Sequence, residues 1–477
     1  MGTTKVIEPV TRIEGHAKIT VHLDDQGKVE DTKFHVVEFR GFEKFVEGRV
    51  LWEMPEITSR ICGICPVSHH LAAVKGCDGL VGGDVTSAGH KLRNLLHMGQ
   101  VFQSHALSFF YLSSPELVLG FDANPAERNI VGVLKEAPQL AKWGVQMRSF
   151  GQRIIETLGG KRVHPEFAVP GGVNSNLDRD RGSKLLKESR ELVDPLRETI
   201  DILHDIYGEL GEEVNKCASF PSRYMGLVDE KGELELYDGR IRLTDREGEI
   251  LEEIEPENYR DIIDERSQNW SYLKFPYYKK AGFEEGMYRV GPLARLNVVD
   301  GIGTPLAHEE WKKYRNLQDG GLPEGSLYYH YARLIEMLYA LEHSQELMED
   351  EEVYSGKPNR PAKPEEKKGV GVIEAPRGTL IHDYEANENG SITNANFIVA
   401  TGHNNLAMNK SVRLVAEEFV EPDGNQEIPE GTLNRMESAI RCYDPCLSCS
   451  THALGKMPLK LQVFDGDGDL IAQDEQG

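Results

Sequence analysis

Two short motifs near opposite ends of the chain carry four cysteines at ligand spacing. Cys62 and Cys65 sit in Arg60-Ile61-Cys62-Gly63-Ile64-Cys65-Pro66-Val67-Ser68-His69, and Cys446 and Cys449 in Asp444-Pro445-Cys446-Leu447-Ser448-Cys449-Ser450-Thr451-His452. A gap of two residues lets both sulfurs of a pair face the same way, from a turn or the first turn of a helix. Four thiolates can hold zinc, copper(I), an iron–sulfur cluster or a nickel–iron assembly in preference to a hard cation. Zinc knuckles usually close over ~15–20 residues, whereas these pairs lie about 380 residues apart. Such a set staples the two ends of a large chain to one buried point. Spacing alone leaves a structural zinc site, an iron–sulfur cluster and a catalytic metal centre open.

The other cysteines, Cys77, Cys217 and Cys442, have no partner at ligand spacing and read as buried small side chains. Seven cysteines form an odd set, and the segment Met1 to Ile19 carries Glu8 and Glu14 without an apolar core. A disulfide framework and a secretory signal are therefore not expected, and the expected location is cytoplasmic. No run of about 18 apolar residues offers a membrane span. The 477 residues include 54 Lys+Arg against 78 Asp+Glu, a net charge of −24. So acidic a surface repels phosphate backbones and anionic lipid, which argues against nucleic acid or a membrane face as partner. An apolar fraction of 39% with 28% charged residues describes a globular chain with ample core.

The elements that must bring the cysteines together are partly legible. Residues 16–39 alternate apolar and polar around Asp24-Asp25-Gln26-Gly27, a hairpin pattern. Helical spacing runs from about Asp84 to Leu112, from Pro125 to Leu158 with a kink at Pro138, and from Gly182 to Val214. It returns over 326–348, where Leu327, Tyr331, Leu334, Leu338 and Leu341 share one face. Residues 228–256 read as short acidic strands around Asp238-Gly239 and Glu247-Gly248, and 351–369 as an exposed linker rich in proline and lysine. Alternation resumes over 370–400, a short helix is expected near 434–442, and 458–472 reads as strand. No regular βαβ alternation and no G-x-G-x-x-G after a strand point to a built-in nucleotide-binding domain. The expected fold class is α+β, predominantly helical, with a central bundle of long helices flanked by small β-sheets.

The residues around the cysteines narrow the chemistry. The runs Arg60–His69 and Asp444–His452, together with Thr11-Arg12-Ile13-Glu14-Gly15-His16 and Glu374-Ala375-Pro376-Arg377-Gly378, resemble the large subunit of nickel–iron hydrogenases. Phe39-Arg40-Gly41-Phe42-Glu43 and Gly159-Gly160-Lys161-Arg162-Val163-His164-Pro165 are similar to further blocks of that family, and the likeness runs from Ile7 to the last strand. Within it the chain most resembles the cytosolic multisubunit branch, the bidirectional NAD-reducing type first and the methyl-viologen-reducing type close behind. The resemblance implies the large-subunit fold over 1–452 as one intertwined domain, with a β-hairpin region at about 1–50, a helical core at about 56–350 and a β-containing part at about 370–452. It implies nickel on Cys62, Cys65, Cys446 and Cys449, and an iron bridged by Cys65 and Cys449 that carries carbonyl and cyanide. Heterolytic cleavage of H2 needs a base beside the metal, and the resemblance gives that part to Cys446, with Glu14 as proton relay. Arg377 then stands over the open metal position with Asp444 as its partner. Glu43 and His452 match the side-chain ligands of a magnesium site completed by water. His69 and His105 match donors to cysteine sulfur or the diatomic ligands, and His16 a structural residue. On the residues alone, Glu14 would pair with Arg12 or cap a strand end, Arg377 lie on the surface, and Asp444 cap a helix.

Two departures from the family pattern stand out. Many membrane-bound relatives carry an Asp where this chain has Ser104 before His105, which removes an acid from above the centre. Relatives are also trimmed after the histidine of the second motif, whereas residues 453–477 follow it here; removal of that extension by a maturation endopeptidase, between His452 and Ala453, is expected. Too few cysteines remain for an electron-carrying cluster within the chain. The resemblance therefore implies a small hydrogenase subunit with iron–sulfur clusters, and diaphorase subunits with flavin that reduce NAD(P)⁺. Alternatives are the same catalysis coupled to heterodisulfide reductase or another acceptor, a hydrogen-sensing relative, a structural subunit of a quinone-reducing complex, and a zinc-stapled scaffold.

Overall fold

The carboxylate of Asp24 accepts hydrogen bonds from the N–H groups of Gln26 and Lys28, and the chain turns back on itself there as the alternation predicts. In this computed structural model, which describes residues 3–318, 321–420 and 429–452 and the backbone of two tail strands, strands β2 (Ala17–Leu23) and β3 (Val29–Val36) form that hairpin. A further strand, β1 (Thr3–Ile7), extends the sheet in the order β1-β2-β3. Its inward side chains Ile19, Val21, Phe34 and Val36 are fully buried.

Long helices fill the middle of the molecule. Helix α1 (Pro66–Val81) starts on a proline, whose missing N–H costs nothing in a first turn. Helix α2 (Ser87–Leu107) is capped by the Thr86 hydroxyl, which accepts the Gly89 N–H at 3.2 Å. The pattern expected to reach Leu112 continues past Leu107 as a wide π-type turn, Ser108–Ser113. The pattern from Pro125 to Leu158 is two helices, Ile130–Glu136 and α3 (Pro138–Gly159), so Pro138 starts a helix where a kink was expected. The physical reason is that proline drives the residue before it, Ala137, out of the helical region, to φ −128° and ψ 66°. The pattern from Gly182 to Val214 likewise divides at Leu192 into α4 (Arg179–Glu191) and α5 (Val193–Leu210).

The acidic segment folds as the antiparallel strands β4 (Arg223–Val228), β5 (Arg240–Thr244) and β6 (Ile250–Ile254), and a second hairpin pairs β7 (Ile263–Ser267) with β8 (Lys274–Tyr278). After β9 (Tyr288–Arg289) and the short buried helix α6 (Pro292–Val298) comes α7 (Tyr328–Glu349). Helix α7 packs against α2, α4, α5 and α6 and is buried on nearly every side, not along a single stripe.

A three-stranded antiparallel sheet, β10 (Lys368–Ala375), β11 (Gly378–Ala386) and β12 (Ile392–Ile398), covers α1. Helix and strand touch backbone to backbone: a Cβ on Gly371 would lie 2.0 Å from the Ala72 carbonyl. The expected linker 351–369 is mostly irregular, but Glu365 and Glu366 donate their N–H groups to Leu80 O and tie it to the end of α1. Helices α8 (Asn405–Phe419) and α9 (Glu430–Tyr443) lead to the second cysteine motif, α9 being longer than the helix expected near 434–442. Beyond it β13 (Leu459–Phe464) and β14 (Leu470–Gln476) pair as a hairpin; Ala453, and with it the expected cleavage point, lies outside the described residues. The architecture is the expected α+β one, largely helical with several small sheets. No helix among the described residues is long and apolar enough to cross a membrane.

Candidate metal centre

The first cysteine pair is held largely by its own neighbourhood. Cys65 immediately precedes α1, and its carbonyl accepts the Ser68 N–H at 3.2 Å as the first turn of that helix closes. The Ile64 N–H donates to the Cys62 sulfur at 3.2 Å, and Ile64 O accepts from both Gln100 and Gln103 of α2 at 3.1 Å. Arg40 donates to Ile61 O at 2.7 Å.

The second pair is held from afar. Asp444 ends α9 in the left-handed region, φ 50° and ψ 56°, a conformation its short polar side chain tolerates, and so turns the chain toward Cys446. The Cys446 N–H donates to the Thr401 hydroxyl at 2.9 Å, the Leu447 N–H to Glu14 O at 3.1 Å, and the Ser448 N–H to the Glu14 carboxylate at 3.0 Å. Gly15, at φ 91°, allows this approach, since a Cβ there would stand 2.6 Å from Leu447 Cβ.

All four sulfurs meet. Cys62 and Cys446 are 3.2 Å apart, Cys65 and Cys449 3.4 Å, and the four Sγ atoms lie within 4.8 Å of one another in buried surroundings. Four convergent soft donors fit a thiolate-bound transition metal. Hydrogen bonding from Cys446 and the other sulfurs, with the charge of Arg377, pushes the Cys62 thiol well down, while burial pushes Cys446 and Cys449 up. Beside the sulfurs is a cavity of about 10 Å³ lined by Cys65, Cys446, Cys449, Ser68, His69 and Arg377. That volume is enough for one water-sized molecule.

Arg377 occupies the two-residue turn, with Pro376, between paired residues Ala375 and Gly378 of β10 and β11. Its Nε donates to Asp444 O and its Nη2 lies 3.1 Å from the Asp444 carboxylate, while Nη1 has no partner among the described residues. Burial opposes its charge, but Asp444 and the cysteine sulfurs hold Arg377 firmly cationic. A buried pair of this kind costs about 3–5 kcal/mol when one partner alone is removed. His69 Nδ1 lies 3.1 Å from His382, which in turn meets the Tyr384 hydroxyl at 2.8 Å; burial lowers the His69 pKa to about 4, so the ring is neutral.

Glu43 and His452, 409 residues apart, also meet, Oε1 to Nδ1 at 3.0 Å. Burial works against the Glu43 carboxylate, but His452 and Lys274 hold its pKa below the ordinary value. The sequence reading missed Glu265 and Lys274 on β7 and β8: Lys274 Nζ stands 3.7 Å from Glu43 and 3.3 Å from Glu265, so the neighbourhood holds two carboxylates and an imidazole. Only their tertiary position marks them. Thr401, which supports Cys446, was missed for the same reason. His105 faces Glu336 at 2.7 Å and is not paired with a cysteine sulfur. His16 is exposed against Glu38. Cys77, Cys217 and Cys442 are buried, and among the described residues none joins the four-sulfur group.

Comparison with known proteins agrees with this geometry. The family described as Nickel-dependent hydrogenase matches residues 40–130 and 226–452, and one described as HoxL-like matches residues 5–39. The chain is 45% identical to the NAD-reducing hydrogenase HoxS subunit beta of Cupriavidus necator, over 99% of each chain. It is 42% identical to one subunit of the F420-non-reducing hydrogenase of Methanothermobacter thermautotrophicus, over 98% of each. A crystal structure of an NAD⁺-reducing [NiFe]-hydrogenase in the H2-reduced state superposes with a TM-score of 0.91 at 43% identity, covering 94% of this chain and 99% of that one. The Ni-Fe-Se hydrogenase of D. vulgaris Hildenborough shares the fold, with a TM-score of 0.77 at 24% identity over 95% of this chain and all of that one.

Proposed function

We propose a role for this chain, which belongs to the nickel-dependent hydrogenase family: it is the catalytic subunit of a cytoplasmic nickel–iron hydrogenase that runs H2 ⇌ 2H⁺ + 2e⁻ and sends the electrons through an iron–sulfur small subunit to a flavin-bearing diaphorase that reduces NAD(P)⁺. The observation that carries this reading is the convergence of the four cysteine sulfurs at one buried point, beside a small cavity that Cys65, Cys446, Cys449 and Arg377 line, with Glu14 hydrogen-bonded to the second cysteine turn. Cys62, Cys65, Cys446 and Cys449 would hold the nickel, and Cys65 and Cys449 also an iron with carbonyl and cyanide ligands. Bound there, a nickel–iron centre supplies the open, redox-active position at which H2 gives up two electrons.

The chain's own residues manage the protons and the geometry. The Cys446 sulfur accepts the first proton. Glu14, anchored on the Ser448 N–H, sits beside the Cys446 backbone and is half-buried, so its carboxylate can take that proton and pass it toward solvent. Arg377, locked by Asp444 and by its place in a tight turn, holds a fixed cation at the cavity with one guanidinium edge free to polarise or orient a small molecule. His69 lines the same cavity as a neutral donor. Glu43 and His452 would bind magnesium, and the extension 453–477 would be removed by an endopeptidase once the centre is in place.

NAD⁺ as acceptor is supported by what the relative from C. necator and the matched crystal structure are named for. The test is the native assembly, assayed for nickel, infrared bands of iron-bound carbonyl and cyanide, and H2-dependent reduction of NAD⁺, NADP⁺ and a heterodisulfide. One nickel per chain with those bands and NAD(P)⁺ reduction is expected. Reduction of the heterodisulfide alone would move the chain to the alternative acceptor, and zinc without nickel would end the proposal.

A further inference from the structure

The tight turn that presents Arg377 is gripped from behind by a second arginine. Arg295 on α6 is completely buried, and each of its five N–H donors has an acceptor. Nε and Nη2 reach the two oxygens of Glu336 at 2.6 Å each, a bidentate pair. Nη1 donates to Glu374 at 2.7 Å and to Ala375 O at 2.9 Å, and Nη2 to Pro376 O at 3.2 Å. The two carbonyls it holds belong to the residues immediately before Arg377. The turn is braced from the same side by Gly291, at the start of α6, whose Cβ position would lie 2.8 Å from Arg377 O.

We propose that Arg295 is a positioning residue for hydrogen activation: its fork, set by Glu336 and Glu374, fixes the Ala375 and Pro376 carbonyls and thereby the reach of Arg377 over the metal-binding cavity. Further side chains reinforce the fork's two carboxylates. His105 Nε2 donates to Glu336 at 2.7 Å, Thr379 donates to the other oxygen of Glu374 at 2.7 Å, and His97 Nε2 lies 3.0 Å from Glu374 O. Burial opposes charge on Glu336, but Arg295 prevails and holds its pKa at about 2, which leaves an ion pair that cannot relax without exposing a buried charge. Lysine cannot replace Arg295, because an ammonium supplies three donors from one point and cannot span two carboxylates and two carbonyls in a plane.

The inference rests on the role given to Arg377 above, and the experiment separates the two. Arg295→Lys is made in the full chain, alone and with Arg377→Lys. In the metal-free protein, amide exchange in the peptide spanning 374–380 should rise about 10-fold or more, while the peptide spanning 92–106 keeps its wild-type rate. No change at 374–380, or an equal rise across α2, α6 and α7, overturns the proposal and makes Arg295 a general core brace. In the nickel-loaded assembly, Arg295→Lys should lower H2 oxidation about 10- to 100-fold at unchanged nickel per chain, the effect of misplacing a reacting group by about 1 Å. Added to Arg377→Lys it should cost less than about 3-fold more; losses that multiply in full overturn the coupling. If Arg295→Lys does not accumulate, Glu336→Gln, which keeps the shape but loosens the fork, should show the same exchange pattern at a few-fold, and its absence is equally decisive. If Arg377→Lys alone leaves H2 turnover intact, the role of Arg377 fails, while the exchange result still decides the clamp.

Discussion

The two cysteine turns offer the same ligands but are built in opposite ways. Cys62 and Cys65 lead directly into α1, and the peptide between them is held twice over by adjacent glutamines of α2. Cys446 and Cys449 rest on contacts from remote parts of the chain: Thr401 on one side, the backbone and carboxylate of Glu14 on the other, with Arg377 gripping Asp444 just before. The first turn can form with its helix. The second exists only when the N-terminal segment and the β10–β12 sheet are both in place. Closing so long a loop costs only logarithmically more than closing a short one, so this arrangement is thermodynamically cheap, but it is indivisible. Metal binding is thereby tied to completion of the whole fold.

The largest effect should ignore the difference between the turns. Cys62→Ser and Cys446→Ser should each remove nickel and cut H2 oxidation by more than about 10³-fold, because four soft ligands are needed together. Retention of nickel by either variant would mean the turns are not equal partners in one site. Next comes Glu14→Gln, which keeps a hydrogen-bond acceptor for the Ser448 N–H but cannot carry a proton. Turnover and H2/D⁺ exchange should fall about 10²–10⁴-fold with nickel unchanged; loss of nickel instead would show that Glu14 serves the second turn chiefly as a prop.

A smaller contrast measures redundancy directly. Thr401→Val leaves the buried Cys446 N–H without its acceptor and should cost about 1–3 kcal/mol, seen as a lower Tm and faster nickel release. Gln103→Leu leaves Gln100 on Ile64 O and should cost less than about 1 kcal/mol on the same measurements. Equal losses would erase the distinction between local and remote support.

A further contrast is a pH dependence carried by the scaffold of the first turn. His70 on α1 donates to Pro55 O and accepts from the Ala168 N–H, and His97 on α2 faces two carbonyls. Burial lowers both pKa values to about 4, against an ordinary 6.5. The unfolded chain therefore binds more protons between those limits, so their contribution to stability is complete above pH 6.5 and is lost as the pH falls toward 4. Tm of the metal-free chain should drop across that window, and His70→Gln should flatten the slope by about one proton's worth.

How much could be read beforehand varied with the range of the interaction. The hairpin at Asp24–Gly27 and the helical spans were legible because turn chemistry and apolar spacing act within a few residues. Pro138 marked an interruption, though as a kink and not as a helix start, while the break at Leu192 was hidden because apolar spacing runs through it. Cys62, Cys65, Cys446 and Cys449 stood out by type and spacing. Glu14, Arg377, Asp444, Glu43 and His452 were nameable only through family motifs, and the structure brings Glu14 to the second cysteine turn, Arg377 to Asp444, and Glu43 to His452. Thr401, Glu265, Lys274, Glu336 and Arg295 lie in no such motif, so nothing in the linear order flagged them.

The amino-acid sequence by itself determined the ligand chemistry, because thiolate softness and a two-residue gap are properties of the residues and their nearest neighbours. It also determined the local turn that aims the first pair. The tertiary structure alone decided that the pairs share one centre, that Glu14 lies against the second of them, and that a buried arginine holds the turn of another. Those outcomes depend on desolvation and on donors matched to acceptors across hundreds of residues, and both are set only when the intervening chain has packed.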